Sequence, residues 1–195
     1  MVRKEINILL DLDQTLIAAL SPEELDLKKD KKKMSMFKHV DMDGYYTVFE
    51  RPHLQKFLDY LFNNYNVSIW TAASKDYALF IIDKYILKNN PKRKLDFIFF
   101  SYHCKWSSKH KNGTKDLSML WDIYKIAGYN KNNTIIIDDY DEVKDTQPSN
   151  CILIKGFEFK DQNSENDTFL LELISKLKSI KRKLSHSKEL DKIID

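Results

Sequence analysis

Three short runs rich in Ile, Leu and Val, INILL at 6–10, NVSIW at 66–70 and TIIID at 134–138, are nearly continuous in their apolar character. A strand exposed on one face alternates apolar with polar residues. Continuous runs of this length instead predict strands covered on both faces, as in a parallel sheet between helices. LDFIFF (95–100) and NCILI (150–154) read as two further strands. Helical patterns lie between them: PHLQKFLDYLFNNY with Pro52 near its start, SKDYALFIIDKYIL with Ser74 as N-cap, and KDLSMLWDIYKIAG closing on Gly128. An apolar stripe at helical spacing over 167–183 predicts a covering helix, followed by a charged tail over 184–195. Strands alternating with helices specify a doubly wound, mainly parallel α/β sheet.

The 195 residues suffice for one domain with a substantial core, and we assign 1–183 to it. FKHVDMDGYYTVFE adds an alternating pattern around Asp43-Gly44, a dipeptide that closes two-residue hairpin turns, so a small β-hairpin insertion is expected at about 35–50. The stretch from Ile17 to Arg51 is too short for a large helical cap. No apolar run approaches the roughly 20 residues of a membrane span, and aspartates stand where a signal peptide needs its apolar core. The expectation is an intracellular protein, cytoplasmic or nuclear, with no membrane partner. Cys104 and Cys151 are too few for a disulfide framework and lack metal-ligand spacing. Lysine and arginine cluster at 28–33, 91–94 and 178–183, which favours an acidic partner over a basic one.

In such a fold the ligand site lies beyond the carboxyl ends of the strands. There stand Asp11 and Asp13 after the first run, Thr71 after the second, and Asp138 and Asp139 at the end of the third. Residues two apart in an extended segment share a side, so Asp11 and Asp13 can face one ligand. Four carboxylates at one sheet edge repel unless a cation joins them, and Mg²⁺ prefers oxygen ligands and is usually completed by a substrate phosphate. An ionised aspartate there is a competent nucleophile toward phosphorus, and a second acid can protonate the leaving oxygen. Thr71 offers a hydroxyl, and Lys115 offers a fixed charge for the spreading negative charge of phosphoryl transfer.

DLDQT (11–15), WTAAS (70–74), TKDLSML (114–120) and IIIDDYD (135–141) resemble, in order, the four motifs of haloacid-dehalogenase-superfamily phosphatases. With DGYYTVFERPHLQKFL and Cys104 they look most like the small CTD phosphatase branch, the NLI-interacting-factor-like or FCP/SCP-like family. The resemblance implies Asp11 as nucleophile and metal ligand, and Asp13 as general acid/base that also ligates Mg²⁺ through its carbonyl. It further implies Thr71 and Lys115 as phosphoryl-binding residues, Asp139 as direct metal ligand, and Asp138 as holder of a metal-bound water. Gln14, Ala73 and Tyr140-Asp141 depart from the family pattern, as does Tyr102-His103-Cys104, where relatives often carry an arginine-containing motif. The phosphorylated partner it implies is a protein with serine or threonine phosphate near proline, such as RNA polymerase II C-terminal repeats. Terminal phosphates of nucleic acid are the second candidate substrate, and a catalytically idle phosphopeptide-binding protein is the non-enzymatic one.

Each motif also has a plainer reading. An isolated DxD is most often a turn and a cap. Lys115 alone would be a solvent lysine, placed unfavourably at a helix start. His103-Cys104 suggests a cysteine phosphatase, but the sixth residue after Cys104 is His110 rather than Arg, so Cys104 is read as structural. Arg51 fits a salt bridge as well as a phosphate contact. Phe37, Tyr45, Tyr46 and Phe49 are simplest as packing residues. The resemblance instead implies an apolar substrate pocket on the hairpin, with Tyr45 and Tyr46 as candidate contacts.

Overall fold

The computed structural model describes residues 4–109 and 113–187. Its strands are β1 (Asn7–Leu10), β2 (Ile17–Leu20), β3 (His39–Met42), β4 (Tyr46–Glu50), β5 (Asn66–Trp70), β6 (Leu95–Phe99), β7 (Thr134–Asp138) and β8 (Cys151–Leu153). The helices are α1 (Lys31–Met34), α2 (Leu54–Asn64), α3 (Lys75–Ile81), α4 (Ser101–Cys104), α5 (Ser118–Asp122), α6 (Asp141–Thr146) and α7 (Phe169–Ser187). A π-helical turn over Ile82–Leu87 continues α3.

The main sheet has the order β6-β5-β1-β7-β8, and every neighbouring pair is parallel. Its continuous apolar runs are explained by side-chain alternation between two covered faces. Ile8, Leu10, Ile135 and Ile137 point into one core with Phe57, Leu61, Ile81 and Leu173, while Leu9 and Ile136 point into the other with Trp70, Met119 and Cys151. From β1 the chain crosses to β5 and then β6, and afterwards returns to β7 on the other flank of β1. The strand order therefore reverses between β1 and β7, the place where a doubly wound sheet opens a crevice. The Asp11 N–H donates to the Ile137 carbonyl at 3.1 Å, closing that seam just below the site.

The hairpin is present, with Asp43 and Gly44 at φ 50° and 76°, the left-handed pair its turn requires. It is joined by a strand that the sequence pattern had not suggested. IAAL at 17–20 pairs antiparallel with β4, giving a three-stranded sheet in the order β2-β4-β3. Phe37, Phe49, Phe157 and Phe159 form its own core, with Phe49 stacked on Phe159 at 4.0 Å.

Two helices differ from expectation. The pattern from Lys115 to Gly128 contains only the short α5. Asp116 Oδ1 accepts from the N–H and hydroxyl of Ser118 at 3.0 and 2.8 Å, so Lys115 and Asp116 stand before the helix. Lys125 and Gly128, at φ 49° and 83°, end it early. In the second case α2 begins at Leu54, because His53 occupies the left-handed region and Pro52 falls in the preceding turn. Ser74 does precede α3 in extended conformation, but its side chain makes no capping bond. The helix expected to end at 183 continues through Ser187, and the rest of the charged tail lies outside the described residues.

Candidate functional site

Asp11, Asp13, Thr71, Lys115, Asp138 and Asp139 all line one cavity of about 580 Å³ at the carboxyl edge of the sheet. Its remaining walls include Gln14, Ala72, Ala73, Cys104, Tyr140 and Val143. The carboxyl ends of β1, β5 and β7 and the loop before α5 therefore deliver the polar groups that the sequence motifs single out.

Lys115 is at the centre. Its Nζ lies 2.5 Å from Asp11 Oδ1 and 2.6 Å from Asp138 Oδ2, and all three side chains are almost fully buried. Burial lowers the lysine pKa, but the two carboxylates outweigh it and hold the ammonium above its ordinary value. Burial likewise pushes Asp11 up to about 8, even though Lys115 pulls the other way, because Asp138 and Asp13 add like charge. Oxygens of Asp11, Asp138 and Asp139 lie within 4.8 Å of one another. Asp139 is raised by burial and by Asp138, with Thr15 Oγ1 donating to its Oδ1 at 3.1 Å. One lysine thus faces three carboxylates, an oxygen donor set whose excess negative charge suits a hard divalent cation.

The Asp13 carboxyl is oriented differently. It accepts a hydrogen bond from the Tyr77 hydroxyl at Oδ1, and burial raises its pKa more than that bond lowers it. Its main chain is held by Gln14, a non-glycine residue at φ 56° whose N–H donates to Ile17 at 2.8 Å and whose carbonyl accepts from Phe157 at 2.6 Å. Thr71 is buried, and its Oγ1 accepts the Ala73 N–H at 3.0 Å, which leaves the hydroxyl hydrogen for an acceptor in the cavity.

The remaining candidates separate clearly. Tyr45 and Tyr46 do not line the cavity; Tyr45 is 71% exposed, and Tyr46 packs edge-on against Tyr77 at 5.6 Å. Arg51 forms the salt bridge alternative. Fully buried, it pairs with Asp167 at 2.9 Å and donates to the Thr15 carbonyl at 3.0 Å, pinning the loop that carries Asp11 and Asp13. Cys104 borders the cavity, but burial pushes its thiol pKa up, the opposite of an activated nucleophile. His103 stacks on Phe99 at 4.0 Å and accepts the Phe100 N–H at 2.8 Å. Sequence reasoning missed Thr15, Tyr77 and Lys105. Thr15 had a signal in its position four residues after Asp11, whereas Tyr77 reads as an ordinary helix-packing aromatic.

The family model for NLI interacting factor-like phosphatases matches residues 6–188. The chain belongs to that family. Among its relatives is the CTD phosphatase-like protein 355R of Invertebrate iridescent virus 6, 48% identical over 171 residues that cover 86% of this chain and 94% of the viral protein. The ubiquitin-like domain-containing CTD phosphatase 1 of Xenopus tropicalis is 28% identical over 172 residues, 81% of this chain but 52% of that one. In fold, the chain is similar to the fission yeast RNA polymerase II CTD phosphatase Fcp1 bound to beryllium fluoride, with a TM-score of 0.56 at 18% identity. That match covers 96% of this chain and 54% of Fcp1. As a family member the chain is a phosphatase of the haloacid-dehalogenase type, hydrolysing phosphoesters. No helix among the described residues is long and apolar enough to cross a membrane.

Proposed function

We propose that the protein is a Mg²⁺-dependent protein serine/threonine phosphatase that works through an aspartyl phosphate on Asp11. The observation that carries this reading is Lys115 held between Asp11 and Asp138 on the floor of an open cavity. A lysine so placed orients one carboxylate oxygen and leaves its neighbour to attack.

The donor set fits Mg²⁺: Asp11, Asp139 and the Asp13 carbonyl would hold it, with the Asp138 carboxylate close beside them. When bound, the ion supplies positive charge that keeps the carboxylates ionised and neutralises the phosphoryl oxygens. The chain's own residues do the rest. Asp11 forms a new P–O bond while the bond to the serine or threonine oxygen breaks, and that oxygen takes the Asp13 proton. Thr71 donates its hydroxyl to a phosphoryl oxygen, and Lys115 offsets the charge developing on the equatorial oxygens. Asp13, now ionised, then accepts a proton from the water that attacks phosphorus and releases Asp11.

For the substrate we infer an extended phosphopeptide with proline near the phosphorylated residue, such as RNA polymerase II C-terminal-type repeats. The cavity far exceeds a phosphoryl group and has apolar walls at Ala72, Ala73, Tyr140 and Val143, which favours a side chain beside the phosphate over a bare ion. Lys115 is shared between two carboxylates, and Lys105 at the cavity wall adds a second positive charge for an incoming phosphate. The test compares kcat/KM for a Ser-Pro phosphopeptide, its proline-to-alanine variant and a 5′-phosphorylated oligonucleotide, with Mg²⁺ at two salt concentrations. The proline peptide should lead at both. Equal peptide rates would remove the proline preference, and a lead for the oligonucleotide would make nucleic-acid ends the substrate.

A further inference from the structure

Tyr77 contributes no motif residue, yet its hydroxyl is the one side-chain donor that contacts the Asp13 carboxyl among the described residues. We propose that Tyr77 is a positioning residue for proton transfer: by occupying Oδ1 of Asp13 it leaves Oδ2 to carry the proton to the leaving oxygen, with Tyr46 of the hairpin bracing its ring. The inference rests on Asp13 being the proton donor, as read above.

The argument is one of remaining freedom. The backbone at Asp13 and Gln14 is fixed from both sides by the bonds to Ile17 and Phe157, with Gln14 in the left-handed region. What stays free is rotation of the Asp13 side chain about its two torsions. An oxygen already accepting a phenolic O–H is a poor place for the carboxyl's own proton, so the bond to Tyr77 both stops the rotation and selects the oxygen that donates. Tyr77 can do this because it stands in the first turn of α3, the helix that follows Thr71, and is packed against the main core. On its other side is Tyr46, at 5.6 Å and 82° between ring planes, an edge-to-face contact. The hairpin therefore reaches the chemistry through two aromatic rings, although none of its residues lines the cavity.

In the step concerned, the Asp11–phosphorus bond forms, the bond from phosphorus to the serine oxygen breaks, and the proton passes from Asp13 Oδ2 to that oxygen. A serine alkoxide leaves poorly without the proton. A 4-nitrophenolate leaves without it, so the two substrates separate proton donation from every other contribution. The experiment measures kcat/KM with Mg²⁺ on a phosphoserine peptide and on 4-nitrophenyl phosphate for wild type, Tyr77→Phe, Tyr46→Leu and Asp13→Asn. The melting temperature of each variant is recorded alongside. Asp13→Asn should lose at least about 100-fold more on the peptide than on the aryl ester, the usual scale of general acid catalysis. Tyr77→Phe should show a split of the same sign of about tenfold, and Tyr46→Leu a smaller one. Equal losses on both substrates for Tyr77→Phe, with the Asp13→Asn split intact, would overturn the inference and leave the donor assignment standing. No split in Asp13→Asn would overturn the donor and the inference together. A Tyr46→Leu loss confined to KM for the peptide would make Tyr46 a substrate contact and overturn its role as brace.

Discussion

Replacing Lys115 with methionine keeps most of the side-chain volume and removes the charge that the buried acids share. Lys115 is 7% exposed at its side chain and touches Asp11 and Asp138 at 2.5 and 2.6 Å, so the variant leaves their carboxylates buried without a counter-ion. Breaking a buried pair from one side costs about 3–5 kcal/mol. For a domain of this size each kcal/mol moves Tm by roughly 2–4 °C, so in chelator Lys115→Met should melt roughly 6–20 °C below wild type. A divalent ion in the same cluster should recover part of this loss, since a ligand that binds only the folded state stabilises it by mass action. Mg²⁺ should therefore raise Tm more in the variant than in wild type, while turnover stays depressed by about 10²–10³ for want of the cation at the transferring phosphoryl group. The assay is thermal unfolding in chelator and across a Mg²⁺ titration, with aryl phosphatase activity on the same samples. An unchanged Tm in chelator, or a smaller Mg²⁺ response than wild type, would refute the shared-charge account.

Three further outcomes follow from the same geometry. Asp11→Asn should fold normally and lose turnover, whereas Cys104→Ser should keep most of it; the reverse pattern in a steady-state assay would move the nucleophile to the cysteine. In chelator the folded protein holds the Asp11 proton up to a pKa of about 8, against 3.8 when unfolded, so this group's contribution to stability falls as pH rises between those values and is flat above. Tm measured from pH 5 to 8 should thus slope downward more steeply in wild type than in Asp11→Asn, and saturating Mg²⁺, which favours the ionised carboxylate, should flatten the wild-type slope. Arg51→Met should lose roughly 3–5 kcal/mol in denaturant unfolding, because it leaves Asp167 without its partner and the Thr15 carbonyl without its donor.

The parallel strands were legible because double-sided burial leaves a continuous apolar run, and the carboxylates of the cavity were legible because they stand at the ends of such runs. β2 was not, since Ile17–Leu20 is short, carries two alanines, and owes its strand conformation to pairing with β4 rather than to its own pattern. The apolar spacing from Lys115 to Gly128 suggested one helix. The Asp116 carboxylate instead accepts from the N–H and hydroxyl of Ser118 ahead of α5, so Lys115 stands outside the helix, where it reaches Asp11. Arg51 looked equally suited to phosphate or to a salt bridge, and only the placement of Asp167, 116 residues on, decides between them. Tyr77 was invisible for the same kind of reason, because its contact with Asp13 spans 64 residues and depends on how α3 crosses back over the site. The pattern around Asp43-Gly44 could not say which hairpin aromatics approach the site: Tyr46 meets Tyr77, Tyr45 faces solvent, and neither borders the cavity.

The central claim is a covalent phosphate on Asp11. It is tested most directly by mixing the Asp13→Asn variant, whose second step is slowed, with 4-nitrophenyl phosphate, whose leaving group needs no proton, and Mg²⁺, quenching in acid, and locating phosphate in the protein by mass spectrometry. The account predicts an acid-stable, hydroxylamine-labile phosphoryl group on Asp11 at close to one per chain, absent when Asp11 is also replaced by Asn. Release of phosphate with no label on Asp11, at a rate that the second substitution leaves unchanged, would contradict it.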